Sequence, residues 1–166
     1  MTVCTGNICR SPMAQVVLAA RLAAAGIDAV VDSTGVSDEE WGNPIDPRAR
    51  RVLEQAGYAV PRHRARRVEP FDLAERDLIL PMTYRHFRAL ERLATRSAAP
   101  VGQLRMLRSF DPAFQGRPSP AADIDDPWYG GMGDFVRALG QIEAAIPGVV
   151  AWAERDQGHG DGAYRE

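Results

Sequence analysis

Met1-Thr2-Val3-Cys4-Thr5-Gly6-Asn7-Ile8-Cys9-Arg10-Ser11-Pro12-Met13-Ala14 is the stretch whose reading decides the fold. Met1-Thr2-Val3 reads as the end of an apolar strand that stops at Cys4. A loop with Gly6 and Asn7 follows, then Ser11-Pro12, an N-cap with proline at the first helical position. Met13, Val16, Val17, Ala20, Leu22 and Ala23 recur at helical spacing, and Gly26 closes the helix. Strand, loop and helix in that order open a parallel sheet, and such sheets bind ligands at the carboxyl ends of their strands.

Working outward, Ala29-Val30-Val31 reads as a short buried strand ending at Asp32-Ser33-Thr34-Gly35. Residues 36–45 read as loop, and Asp46-Pro47 starts a helix to about Gln55 that Gly57 stops. Leu78-Ile79-Leu80 is a further apolar run, bounded by Pro81, and Tyr84 to Leu93 reads as a helix with Phe87, Leu90 and Leu93 on one face. Gln103-Leu104-Arg105-Met106 is a final short strand. Residues 109–133, rich in proline, glycine and aspartate, form a long functional loop. Phe135 to Glu154 carries the last helical pattern, broken or kinked at Pro147-Gly148.

The expected architecture is α/β: a three-layer fold with a four-stranded parallel sheet, helices on both faces, and the Cys4 loop after the first strand. It forms one domain over residues 1–155, with a polar, glycine-rich tail at 156–166 expected to be disordered. No internal repeat and no second domain are legible.

At 166 residues the chain can bury one core without disulfides, and its 45% hydrophobic and 25% charged residues are ordinary for a globular domain. No apolar run is long enough to span a bilayer, and no signal-peptide layout opens the chain, so a cytoplasmic protein off the membrane is expected. Export without a signal peptide is not readable in these residues. The net charge of -2 leaves no electrostatic footprint for nucleic acid. Every lysine-or-arginine position is arginine, and Arg62, Arg64, Arg66 and Arg67 form a basic patch, read as a solvated helix start or a guide for an anionic partner. Two cysteines and three scattered histidines make no zinc spacing, so no metal is expected.

Chemistry concentrates between Cys4 and Ser11. A phosphate monoester dianion needs several donors converging on its oxygens. A tight loop before a helix can point backbone N–H groups inward, with the positive helix end behind them. Gly6 permits a backbone conformation that a side chain would obstruct. The planar guanidinium of Arg10 can grip two oxygens. The same field favours a thiolate nucleophile at Cys4, and Ser11 can hydrogen-bond the sulfur. Against this stands Cys4 as a small buried hydrophobe at a strand end. The lysine-dependent phosphate loop is excluded, because the chain has no lysine.

Cys4-Thr-Gly-Asn-Ile-Cys-Arg-Ser-Pro-Met-Ala resembles the signature of the low-molecular-weight protein tyrosine phosphatases, in their bacterial, actinobacterial-like form. The resemblance runs on through Asp32-Ser33, Asp46-Pro47-Arg48, His63, Ala65-Arg66, the run from Arg105 to Pro112, and Asp126-Pro127-Trp128-Tyr129-Gly130. It implies a cysteine-dependent phosphatase acting on phosphotyrosine-containing proteins through a phosphocysteine, as a monomer without cofactor. It also implies that Thr5, Gly6, Asn7, Ile8, Cys9, Arg10 and Ser11 form the phosphate loop around Cys4. Asp126 becomes the general acid, singled out from Asp123 and Asp125 by the resemblance; the residues alone allow a turn-initiating Asp-Pro. Trp128 and Tyr129 become an aromatic wall, or else two loop-packing aromatics. Asn7, Ser33 and His63 brace the loop, although His63 among arginines also reads as a surface histidine. Cys9 becomes a trap for an oxidised Cys4.

Three departures from the pattern stand out. Only three residues precede Cys4 where the family carries a few more, which suggests a chain that starts late. Thr83 stands where the family has an aspartate. Glu39 stands where it has a tryptophan, and Trp41, two positions on, is the candidate substitute in the substrate wall. Arsenate reductases of this fold need cysteines after Cys9, and there are none. Arginine phosphatases of this fold carry threonine at the Ile8 position, and apolar Ile8 fits an aryl phosphate better. A non-catalytic phosphoprotein-binding module would lack Cys4, Arg10 or the acid.

Overall fold

Short, buried strands alternate with amphipathic helices along the chain, and in a computed structural model they assemble as β1 (Thr2–Cys4), α1 (Arg10–Ala24), β2 (Ser33–Gly35), α2 (Pro47–Gln55), α3 (Pro70–Ala74), β3 (Leu78–Pro81), α4 (Tyr84–Ser97), β4 (Gln103–Leu104) and α5 (Met132–Gly160). The structure describes residues 1–160, with side chains through Asp156. All strand pairs are parallel, in the order β2-β1-β3-β4. Thr2 faces Ser33 on one side and Leu80 on the other, so β1 lies at the centre. The chain leaves β1 for β2 on one side and later returns to β3 on the other. Cys4 therefore sits at the carboxyl end of the strand where the topology switches, the position at which α/β sheets open a crevice.

Alternation along the strands sends side chains to two cores. Leu78 and Leu80 join Met13, Val17, Leu53, Phe135, Ile142 and Ile146 on the face covered by α1, α2 and α5. Val3 and Ile79 join Leu73 and Leu90 under α3 and α4. The three-layer arrangement expected from the sequence is the observed one. Among the described residues no helix is long and apolar enough to cross a membrane.

Several local expectations change. Ala29-Val30-Val31 is not a strand: Val30 is 87% exposed, and the pairing falls on the polar triplet Ser33-Thr34-Gly35. Ser11 is not the cap of α1, which begins at Arg10 after Cys9, because its hydroxyl turns to the Cys4 sulfur. Residues 62–67 do not start a helix. Arg66 is held by Asp72 at 2.8 Å and Asp32 at 3.0 Å, which keeps that segment extended over the sheet edge. The long segment after β4 is interrupted by three 3-10 turns. Pro147 is accommodated inside an unbroken α5, which continues past residue 155 to Gly160; the expected tail at 161–166 lies outside the described residues.

Candidate active site

The loop from Cys4 to Arg10 is shaped from outside by donors to its carbonyls. Cys4 O accepts from Val36 N at 2.9 Å, Thr5 O from Ser37 N at 3.1 Å and Ile8 O from Asp46 N at 2.9 Å. Asn7 O accepts from the His63 Nε2–H at 2.6 Å, and Cys9 O from Met13 N at 3.1 Å. With these carbonyls turned outward, the amides of Gly6, Ile8 and Cys9 are left for the inside of the loop, beside the N-terminus of α1. That is the donor arrangement an oxyanion with several acceptors needs.

Asn7 holds the turn. Its φ of 60° is in the left-handed region, which asparagine tolerates better than most residues. Its Nδ2 donates to Ser11 Oγ at 3.0 Å and Ser33 Oγ at 2.9 Å, while its Oδ1 accepts from Arg66 N at 3.0 Å. Ser33 passes its own proton to Gln15 Oε1 at 2.6 Å. Asn7, Ser33 and His63, the three residues expected to support the loop, are thus joined to it or to one another by hydrogen bonds. Burial pushes the His63 imidazole below its ordinary value, with the Asn7 carbonyl opposing that. The left-handed residue of the loop is Asn7, whereas at Gly6 a side chain would be obstructed by the stem of Glu40, whose Cγ lies 2.8 Å from where a Cβ would be. Gly35 is the tighter constraint. A Cβ there would overlap the Thr5 carbonyl oxygen and lie 3.1 Å from Asn7 N, and neither backbone atom can yield without moving the loop.

Cys4 is buried, and its Sγ lies 3.0 Å from Ser11 Oγ. The same hydroxyl reaches Thr34 O at 3.1 Å, so it has one proton for two acceptors. When the sulfur carries charge, the proton serves the sulfur. Cys9 is different. Burial first, and the Asp46 carboxylate second, push its thiol well above the ordinary range, so it stays protonated at neutral pH. Both cysteines are free.

Arg10 projects from the first turn of α1, donating to Ile124 O at 3.2 Å and to Asp126 Oδ2 at 2.6 Å. Asp126 Oδ1 accepts from Trp128 N at 3.2 Å, fixing the start of the aromatic pair. Arg10, Asp126 and Trp128 line a cavity of about 260 Å³ together with Cys4, Thr5, Gly6, Ile8, Cys9, Tyr129, Glu39, Glu40 and Arg85. Trp128 and Tyr129 stand at its edge, Tyr129 being 95% exposed. Trp41 is absent from this lining. The tight turn in which Trp41 N donates to Asp38 O leaves that ring 64% exposed, and Glu39 and Glu40 occupy the pocket side instead.

Sequence reasoning passed over two supports. Arg48, in the first turn of α2, donates to Trp128 O at 3.2 Å and Gly130 O at 2.8 Å while gripping Asp46 at 2.8 Å. It ties the aspartate-bearing loop to the residue whose amide holds Ile8. We expect Arg48→Ala to lower kcat about tenfold, with KM for para-nitrophenyl phosphate changing less, because the loop that carries Asp126 loosens while the Cys4 loop stands. Steady-state kinetics check this, and an unchanged kcat would contradict it. Asp46-Pro47-Arg48 was visible as a motif, but only the fold shows what the guanidinium reaches.

The second support is His86, 2% exposed. Its ring joins Thr83 Oγ1 at Nδ1 and Thr5 Oγ1 at Nε2, both at 2.9 Å. Thr83, the departure noted above, also caps α4 by accepting from His86 N. Burial, then Arg10 and Arg85, lower the His86 imidazole to about 3. The native state therefore resists a proton that an unfolded histidine binds near pH 6.5. His86 imposes no pH-dependent loss above that value, and stability falls by about 1.4 kcal/mol per pH unit from there towards pH 3. Asp32 and Asp46 are shifted down as well. Burial alone would raise them, but Arg76 beside Asp32 and Arg48 beside Asp46 outweigh it and hold both below the usual carboxylate range. Urea unfolding at pH 7, 5.5 and 4.5 should show this slope, and His86→Gln should reduce it by about one proton's share, leaving the part carried by His63 and the Met1 amino group, which burial also pushes down. An unchanged slope in that variant would assign it elsewhere.

Comparisons with known proteins agree with this geometry. The family model described as low molecular weight phosphotyrosine protein phosphatase matches residues 1–158. A low molecular weight protein-tyrosine-phosphatase of Streptomyces coelicolor is 43% identical over 165 residues, covering 97% of this chain and 96% of that one. The crystal structure of a protein tyrosine phosphatase from Entamoeba histolytica superposes with a TM-score of 0.80 at 25% identity, over 94% of this chain and 96% of that one. A Drosophila arginine phosphatase superposes with a TM-score of 0.81 at 28% identity, over 91% and 94%. With a family model matched over residues 1–158 and a relative 43% identical over nearly the full length of both chains, the chain belongs to the low molecular weight phosphotyrosine protein phosphatase family.

Proposed function

We propose that Cys4, Arg10 and Asp126 hydrolyse phosphotyrosine in proteins by two successive displacements. The Cys4 sulfur bonds to phosphorus as the ester P–O bond breaks, and Asp126 gives its proton to the departing phenolate. Asp126 then takes a proton from water as the oxygen of that water bonds to phosphorus and the P–S bond breaks. Inorganic phosphate and the free sulfur result. The loop amides and Arg10 hold the equatorial oxygens throughout. The observation that carries this reading is the convergence of Cys4, Arg10 and Asp126 on one cavity, with Arg10 already on the Asp126 carboxylate at 2.6 Å.

Ile8, 8% exposed and in the lining, favours an aryl ring over a polar guanidinium at the mouth. We read the enzyme as a monomer and as cytoplasmic, where free Cys4 and Cys9 suit a reducing milieu. The test is hydrolysis of para-nitrophenyl phosphate and of peptides bearing phosphotyrosine, phosphoserine or phosphoarginine. Phosphotyrosine should be turned over at least about tenfold faster than the other two residues. Faster phosphoarginine turnover would reverse the substrate assignment.

A further inference from the structure

α4 carries Arg85, Arg88, Arg92 and Arg96 and a single acid, Glu91, in a chain whose net charge is -2. At 3.6 residues per turn the four arginines fall within about 80° of arc, opposite the buried His86 and Leu90. All four are exposed. Arg88 pairs with Glu91 at 2.8 Å, and together with Arg92, Thr95 and Arg96 they line a shallow groove. The stripe begins at the active site, because Arg85 is part of the catalytic cavity's lining. Arg85 also lies in the first turn of α4, which holds no acidic residue. A cation there opposes the helix dipole, a cost offset by the Asp123 carboxylate that accepts from Tyr84 N at 2.6 Å.

We propose that this arginine track docks an acidic segment of the phosphoprotein substrate, flanking the phosphotyrosine whose ring enters the cavity. The inference rests on the phosphotyrosine reading and names the sequence context it prefers. From Arg85 to Arg96 the track is about 16 Å long, which an extended peptide covers in about five residues. The preferred substrate carries aspartate or glutamate over about that many positions on one side of the phosphotyrosine. Each exposed pair is weak and screened by salt; several in register give a preference that is modest, additive and dependent on ionic strength.

The experiment compares three substrates at low and high salt: a phosphotyrosine peptide flanked by alanines, peptides with four glutamates on one side or the other, and para-nitrophenyl phosphate. Wild type is set against the double variant Arg92→Glu/Arg96→Glu, two exposed positions outside the catalytic cavity. One acidic peptide should show kcat/KM about tenfold above the alanine peptide at low salt. That advantage should shrink in 0.5 M salt (a screening length of about 4 Å) and vanish in the double variant, with para-nitrophenyl phosphate turnover unchanged. An advantage below twofold, or one that survives the double variant, overturns the proposal. Binding of the fluorescent acidic peptide without phosphate, followed by anisotropy, reads the track even if no phosphotyrosine peptide is hydrolysed, so failure of docking and failure of the substrate assignment are told apart. Vesicles with one third phosphatidylserine form the last arm. Binding to them that the double variant abolishes, with no preference for acidic peptides, would assign the track to a membrane surface and refute the docking proposal.

Discussion

Cys4→Ser is expected to cut turnover of para-nitrophenyl phosphate and phosphotyrosine peptides by on the order of 10⁴-fold or more, without unfolding the protein. A serine hydroxyl fits the buried site and can still meet Ser11, so thermal unfolding should be nearly unchanged. The loop amides and Arg10 should still bind inorganic phosphate, which calorimetry can read. What disappears is the only group at the foot of the cavity able to bond to phosphorus and leave again. Cys9 cannot replace it, because burial and Asp46 keep its thiol protonated. A Cys4→Ser protein that retained a tenth of wild-type activity while binding phosphate normally would end the covalent mechanism.

The second large effect concerns the acid. Asp126→Asn should lower kcat for phosphotyrosine peptides by about 10²- to 10³-fold. The carboxamide oxygen can still accept from Arg10, so the geometry seen at 2.6 Å survives while the transferable proton is lost. The loss should depend on the leaving group. Tyrosine's phenol, with an ordinary pKa near 10, needs that proton far more than nitrophenol does. The deficit with para-nitrophenyl phosphate should therefore be several-fold smaller. Equal losses with both substrates would mean that Asp126 only positions Arg10 and transfers no proton.

The opening unit was legible because each part has a local reason: apolar residues up to Cys4, a loop, proline near the helix start, then helical periodicity in α1. The second strand was not. Its residues are Ser33, Thr34 and Gly35, buried for reasons found elsewhere in the chain: Ser33 serves Asn7, and Gly35 lets the Thr5 carbonyl approach. Hydrophobic patterning pointed to Ala29-Val30-Val31 instead, which runs along the surface. The catalytic candidates could be read from motifs, whereas Arg48, His86 and Arg85 act through distances of tens of residues in sequence. Trp41 shows the same limit in reverse. An aromatic two positions from the expected place suggested a wall, but a turn of three residues settles which side chains face the cavity.

The Arg10–Asp126 contact bears on affinity as well as on catalysis. A substrate entering the cradle does not meet an idle guanidinium; it competes with a carboxylate of the protein itself. Part of the attraction between Arg10 and a phosphate dianion is thereby offset in the ground state. In the proposed mechanism, once the dianion takes Arg10 from it, Asp126 binds a proton from solvent. The protonated carboxyl then serves the leaving oxygen as charge builds there, and the whole guanidinium is available to the equatorial oxygens. Interaction energy that would have tightened substrate and product alike is realised during bond breaking. An internal counterion of this kind keeps inorganic phosphate, the product, from lingering in a loop built to hold it.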